Sequence, residues 1–239
     1  MAQPPGYHAP NSVRKVCRLQ KTLYGLKQSG RHWYQKLVEI MTHYLVFSRC
    51  DVDQVVFFRQ NGQGSMIVLV HVDDCTIAAS STQLISHFKA KISEHVEITD
   101  LSELHWLLGI KVRRNREQHT IHFSQRLYIT SILRRFNLDE LKPLSTPMQP
   151  GLLLSMAQTS KTTAEWALMR DTPYYEAIGS LMYAALGTRP GIAFAIQTLS
   201  QYSTKFGHVH WNTVKRVFSY LKGTKELWLT YGEEMTNRF

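Results

Sequence analysis

The chain has 239 residues, with 28 Lys and Arg against 18 Asp and Glu, a formal net charge of +10 and 44% hydrophobic content. That is enough apolar residue for one large domain or two small ones, and the basic excess points to a polyanionic partner, nucleic acid ahead of a membrane, with a generic basic surface as the alternative. There is no apolar run of about 18 residues, no signal-peptide order in Met1-Ala-Gln-Pro-Pro-Gly6, and no CxxC pair among Cys17, Cys50 and Cys75, so a membrane helix, a disulfide framework and a zinc ribbon are excluded and an intracellular, reducing setting is expected.

Residues 1–12 hold Pro4, Pro5, Gly6 and Pro10 and read as a loop. Val13 to Leu37 is basic and aromatic. Arg14, Lys15, Arg18, Lys21, Lys27, Arg31 and Lys36 alternate with Tyr24, Trp33 and Tyr34, and no acid occurs before Glu39. Such a mixture suits phosphates and stacked bases. Leu23 to Gly30 reads as a turn leading into a helix on which Trp33, Leu37, Ile40, Met41 and Tyr44 recur at helical spacing. Core packing accounts for most of the Trp33 surface. Gln54 to Arg59 reads as a strand and Asn61-Gly62 as a hairpin turn.

Met66 to Val70 and Cys75 to Ala79 are short apolar runs without Gly or Pro, which favours buried strands. Between them stand Asp73 and Asp74. An Asp pair suits a turn better than a strand, so the simplest geometry is a hairpin with the aspartates at its tip. Two carboxylates there are either a solvated turn or an oxygen site for a divalent cation. Ser80 and Ser81 offer N-caps for a helix to about Ser93, with Leu84, Ile85, Phe88 and Ile92 on one face. Helices behind a small antiparallel sheet predict an α+β fold.

Leu104 to Arg114 reads as one strand, with Thr120 to Phe123 pairing back across a turn. A helix over Gln125 to Phe136 is predicted to turn Leu127, Tyr128, Ile132, Leu133 and Phe136 inward. Lys142 to about Asp171, rich in Pro, Ser and Thr, reads as a linker. Beyond it Thr172-Pro173 is predicted to cap a helix carrying Ile178, Leu181, Met182 and Ala185. Thr188-Arg189-Pro190 opens another with Ile192, Ala193, Ile196 and Leu199. A helix over His210 to about Lys222, with Trp211, Val214, Val217, Phe218 and Leu221 inward, and a strand-like stretch over Leu227 to Tyr231 close the chain. His208-x-His210 has no Cys or carboxylate at ligand spacing, so no metal is expected there.

The order of short motifs resembles the reverse transcriptase of copia-type LTR retrotransposons. The matching strings are Gln3-Pro-Pro-Gly6, Leu23-Tyr-Gly-Leu-Lys-Gln28 with Arg31 and Trp33, Val72-Asp-Asp74, Leu108-Gly-Ile110, Gln125-Arg-Leu-Tyr-Ile129, Ser145-Thr-Pro-Met148, Ile178-Gly-Ser-Leu-Met-Tyr183, Thr188-Arg-Pro190, His210-Trp211 and Tyr220-Leu-Lys-Gly-Thr224. Each is weak alone; their order makes the match specific. The resemblance implies a partial right-hand polymerase, a nucleotidyltransferase of a transposable element. Residues 1–103 would be partial palm, 104–141 a primer-grip hairpin and thumb-like helix, 142–171 a linker, and 172–239 a helical connection region before a ribonuclease H domain.

It also implies roles. Asp73 and Asp74 match the paired metal-binding aspartates, for Mg²⁺ or Mn²⁺. Gly25, Lys27, Gln28 and Arg31 match the strip beside nucleotide and template, and Leu107, Leu108, Gly109 and Ile110 match the primer grip. The implied partners are an RNA/DNA primer-template and a dNTP, with no membrane. The resemblance puts the family's first catalytic aspartate and its fingers before the start of this stretch, and the ribonuclease H acids after Phe239. The family's usual Tyr, Pro and Asp are His71, Gly30 and Gly191 here. With two of three carboxylates the metal would be held weakly. Three expectations stay open: a polymerase fragment inactive alone, a non-catalytic nucleic-acid-binding module, and an unstable remnant reading frame with exposed strand edges.

Overall fold

A computed structural model of the chain describes residue 3, residues 5–7 and residues 15–232. Of the irregular N-terminal stretch and the basic segment after it, Pro4, Pro10 and Arg14 lie outside the described residues. Two units are present, Met1–Ser102 and Glu103–Phe239, and each is taken by itself. Both combine helices with an antiparallel sheet, so the α+β expectation holds. No helix among the described residues is long and apolar enough to cross a membrane.

In the first unit, helix α1 (Ser29–Glu39) runs on as a π-helical turn over Ile40–Tyr44. Strands β1 (Ser48–Arg49), β2 (Val56–Asn61), β3 (Gly64–His71) and β4 (Asp74–Ala79) form a sheet in that order, and α2 (Thr82–Ser93) follows. The core joins Leu37, Ile40 and Met41 to Phe57, to Met66, Val68 and Val70, and to Leu84, Phe88 and Ile92. Fully burying each such side chain stabilises by about 1.5–3 kcal/mol.

The expected burial of Met66 to Val70 needs correction. Side chains alternate across a strand, and Ile67 and Leu69 on the other face are 46% and 44% exposed. Phe58, paired with Ile67, adds to this open apolar face. The two serines after β4 divide their work. Ser81 Oγ accepts from the Leu84 amide and caps α2, while Ser80 Oγ accepts from the Ser65 amide. The β2–β3 turn is shifted by one residue from the expected one. Asn61 pairs with Gly64, and its Oδ1 accepts from the Gln63 amide, so Gly62 and Gln63 form the loop.

In the second unit, β5 (Trp106–Leu107), β6 (Ile110–Asn115), β7 (Thr120–Ser124) and β8 (Leu229–Tyr231) make the sheet. The helices are α3 (Arg126–Arg135), α4 (Thr163–Met169), α5 (Tyr174–Gly187), α6 (Ala193–Ser200) and α7 (His208–Thr224). The core gathers Ile129, Ile132 and Leu133 with Ile178, Leu181, Leu199, Val217 and Phe218. Tyr174 stacks on Phe206 at 4.3 Å and donates to the Leu199 carbonyl at 2.9 Å.

Five sequence expectations change in this unit. Leu104–Arg114 is a hairpin rather than one strand, because Leu108 and Gly109 turn between Leu107 and Ile110. Leu127 is 62% exposed and Ile129 is buried, since Ile129, Ile132 and Leu133 set the inward face and Leu127 falls opposite. Thr172 does not cap α5; Pro173 occupies the N-cap position with no side-chain bond. The same alternation of faces leaves Met182 43% exposed on α5, where Ala177 and Ala184 are buried instead. Residues 142–171 are no free linker. They contain α4, with a Thr162–Glu165 capping box, while the Leu144 amide bonds Ser219 and Arg216 bonds Thr146. Met148 and Leu154 pack on the same core as α3 and α7.

Candidate active site

Strands β3 and β4 pair from Met66 opposite Ala79 to His71 opposite Asp74. Val72 and Asp73 are therefore the two central residues of the tightest possible hairpin turn. Asp73 stands at the tip and Asp74 opens β4; both are exposed. Neither carboxylate is in an ion pair with any described residue. Val72 has φ +55° while Asp73 does not enter the left-handed region. A turn with positive φ at its first central residue alone normally takes Gly there. A β-branched residue in that conformation is strained, by about 1–3 kcal/mol.

Trp33 supports the strained position. Its Nε1–H donates to the Val72 carbonyl at 2.8 Å, across 39 residues of sequence. Its half-buried ring packs on the core and also lines a cleft of about 610 Å³. Lys21, Gln28, His32 and Lys36 line the same cleft. Of the residues expected beside the nucleotide, Gln28 thus faces this cleft. Gly25, Lys27 and Arg31 are exposed and outside its lining. Gly25, with φ +88°, is the third residue of a turn closed by the Leu26 amide on the Leu23 carbonyl. That is the position where a type II turn requires Gly. Ser29 Oγ donates to the same Leu23 carbonyl at 2.6 Å, tying the turn to the start of α1.

The Leu107–Ile110 hairpin of the second unit has a related construction. Leu108 and Gly109 have φ +48° and +76°, the double positive φ of a type I′ turn. Tyr183 on α5 donates its hydroxyl to the Leu108 carbonyl, 75 residues away in sequence. Tyr128 packs edge-on against Tyr183 at 4.7 Å and donates to the Ser180 carbonyl. Sequence reasoning missed both braces. No local signal carries a contact over such separations.

Two other residues singled out in the sequence have structural partners. His208 Nδ1 meets Asn212 at 2.9 Å, and buried His210 accepts the Gly207 amide through Nδ1 at 3.1 Å. Burial lowers the His210 pKa below the ordinary imidazole value, opposed by the Ser155 backbone. Buried Arg189 donates to the Thr224 carbonyl at the end of α7. Its burial works against its charge, and the negative end of a helix supports it.

Residues 1–150 match the family model described as reverse transcriptase (RNA-dependent DNA polymerase). The chain belongs to the reverse transcriptase family. It is 37% identical over 236 residues to the retrovirus-related Pol polyprotein from transposon TNT 1-94 of Nicotiana tabacum, covering 97% of this chain and 18% of that protein. It is 37% identical over 228 residues to the Pol polyprotein from transposon RE2 of Arabidopsis thaliana, covering 95% and 15%. The putative transposon Ty5-1 protein of Saccharomyces cerevisiae is 26% identical over 229 residues, covering 96% of this chain and 72% of that protein. The chain therefore spans less than a fifth of the two plant polyproteins, and the copia-type resemblance drawn from its motifs is borne out. No solved structure matches it significantly.

Proposed function

We propose that this stretch of reverse transcriptase carries two carboxylates of an RNA-directed DNA polymerase site and does not polymerise by itself. One observation carries the reading: exposed Asp73 and Asp74 at a braced hairpin tip, with the brace, Trp33, also lining a cleft that holds Lys21, Lys36 and Gln28. Both carboxylates are exposed and unpaired, and oxygen donors suit a hard cation. Mg²⁺ is commonly held by one or two carboxylates together with substrate phosphates. Asp73 and Asp74 would hold it here, or Mn²⁺ in its place. Among the described residues no three or more His, Cys, Asp or Glu gather at metal-holding distance. When bound there, the ion would supply Lewis-acid activation of a hydroxyl and charge neutralisation of phosphates.

The chain's own residues would do the rest. Trp33 orients the turn that presents Asp73. Lys21 places positive charge where a dNTP's phosphates enter, Lys36 is paired with Glu39 at 3.0 Å, and Gln28 offers an amide to base or sugar. The first unit would then be palm, β5 to α3 primer grip and thumb, and the later helices connection. The Leu107–Ile110 turn would seat the primer end of an RNA/DNA primer-template.

Two measurements test this. Mn²⁺ added to the isotope-labelled chain is expected to broaden the amide resonances of Val72 to Cys75, and Asp73→Asn with Asp74→Asn to abolish that. Equal broadening in the double variant refutes the metal site. Primer extension with labelled dNTP on a primed RNA template, at low salt with Mg²⁺ or Mn²⁺, is expected to give no incorporation. Incorporation lost on Asp73→Asn would overturn the incompleteness of the site.

A further inference from the structure

In the second unit an arginine holds a threonine with half of its binding edge unused. Arg216 on α7 donates from Nη2 to the Thr146 hydroxyl at 2.8 Å, across 70 residues of sequence. Its Nε is buried and has no hydrogen-bond partner among the described residues. Nε–H and Nη2–H point along the same edge of a guanidinium and form the fork that grips a carboxylate or phosphate through two oxygens. Here one prong of the fork meets a hydroxyl and the other is empty. Leaving a buried donor unsatisfied costs stability, so a simple tie between two chain segments does not account for the arrangement. No acid answers the charge either, since Arg216 is in no ion pair with any described residue.

The threonine is placed to be modified. Thr146 precedes Pro147. Proline has no N–H and holds the residue before it extended, the shape in which a protein kinase cleft takes its substrate. Residues 142–150 contain no helix or strand, and Ser145, Gln149 and Pro150 are exposed. Few contacts hold this stretch down. The Leu144 amide reaches the Ser219 carbonyl at 3.3 Å, Arg216 reaches Thr146, and Met148 packs on the core. A segment so lightly tied opens locally at small cost. The hydroxyl can thus leave Arg216, enter an enzyme and return.

We propose that Thr146 is phosphorylated by a proline-directed protein kinase and that Arg216 receives the phosphate, fastening residues 142–150 to α7. In the transfer, Thr146 Oγ1 bonds to the γ-phosphorus of ATP as the bridging P–O bond to ADP breaks, and the hydroxyl proton passes to the kinase's carboxylate base. The phosphothreonine carries a charge of about −1.5 to −2 at pH 7 and three strong acceptor oxygens. Two of them suit Nη2–H and Nε–H of Arg216, which fills the empty prong with a charge-assisted bond. The formal net charge of +10 favours an added anion. The site goes beyond the polymerase reading and uses none of its carboxylates.

The test is incubation of the full chain with a proline-directed kinase and ATP, read by intact mass and by fragment mass across residues 142–150. Phosphate is expected on Thr146, and none at that position in Thr146→Val. Hydrogen exchange at the Leu144 amide, which bonds α7, is expected to slow about tenfold on phosphorylation, the worth of one charge-assisted hydrogen bond. The Arg216 Nε–H proton resonance is expected to move downfield as it gains an acceptor. Arg216→Gln leaves the Thr-Pro step intact, so it is expected to take phosphate as the parent does and to show no slowing relative to its own unmarked form. Cooperative thermal unfolding shows that this variant remains folded. A folded parent chain left unmarked at Thr146, while a free peptide of residues 141–151 is phosphorylated, overturns the proposal. A marked parent chain whose Leu144 exchange and Arg216 resonance do not change overturns it as well. Asp73→Asn is expected to leave incorporation at Thr146 intact, so a failed metal site and a failed phosphate site read differently.

Discussion

The contact from Trp33 to the Val72 carbonyl predicts a specific consequence of Trp33→Phe. The substitution keeps a ring against the core and deletes the Nε1–H donor of the 2.8 Å bond. Two penalties compete for the cost. A buried acceptor left without a partner costs about 1–3 kcal/mol, whereas an intact bond contributes only about 0.5–1.5 kcal/mol net. Val72 is 61% exposed, so water reaches its freed carbonyl and the smaller figure applies. The expected loss is therefore about 1 kcal/mol. Val72→Gly acts in the opposite direction. Relief of the left-handed conformation gains about 1–2 kcal/mol, and the backbone entropy of Gly takes back about 0.5–1 kcal/mol. That variant should be neutral or slightly stabilising, and it should recover most of the loss when combined with Trp33→Phe. Native-state hydrogen exchange at His71 and Asp74, the pair that closes the turn, reads the hairpin apart from the second unit. Unchanged exchange in Trp33→Phe would refute the brace. Destabilisation by Val72→Gly beyond about 1 kcal/mol would refute the strain.

Gly25→Ala is expected to cost about 1–2 kcal/mol by local exchange at Leu26: open space surrounds a Cβ there, so the left-handed φ of +88° alone carries the cost. Tyr183→Phe should speed exchange at Ile110 roughly fivefold, for loss of one hydrogen bond to Leu108, and leave the β3–β4 ladder unchanged. His210 predicts a pH dependence of the second unit. Its folded pKa is depressed by burial, so the unfolded chain binds more protons as pH falls. Thermal stability should be full above the ordinary imidazole value of about 6.5 and should fall as pH drops through that value toward the folded one. His210→Gln should flatten that part of the profile.

Local chemistry was legible in the sequence where a residue's role depends on its neighbours. The Asp73 hairpin, the Ser81 cap and the α7 core positions Val214, Val217 and Phe218 follow from spacing alone. The Thr162–Glu165 capping box was equally legible, yet Pro143, Pro147 and Pro150 nearby turned the reading to a linker. Two errors came from periodicity in short runs. Continuous apolar residues over Met66 to Val70 suggested burial on both faces, and one face is open. Spacing alone also allows Leu127 on the inward face, and only the neighbouring helices decide that the stripe of Ile129, Ile132 and Leu133 is the one covered. At the site, the carboxylates and Gln28 stood in motifs. The cleft beside Gln28 could not be read, because it depends on residues 19 to 36 folding against one another.

The two hairpins expected to matter share one device. Each places a residue with a side chain in the left-handed region at the first turn position, Val72 at φ +55° and Leu108 at φ +48°. Each strained carbonyl accepts from an aromatic donor on a helix, Trp33 on α1 and Tyr183 on α5. Glycine would relieve either turn without help, since it reaches that conformation at no steric cost. A glycine tip would also sample many conformations. A strained residue persists only where its surroundings over-determine it, and a rigid helix-borne donor supplies that determination from outside the hairpin. The turn is then held in one geometry, with the backbone next to Asp73 in the first case and to Gly109 in the second fixed by a contact that neither strand provides. On this reasoning Trp33 and Tyr183 matter through the positions of groups they do not themselves replace. Removing either donor should therefore loosen its own turn well before it unfolds its own unit.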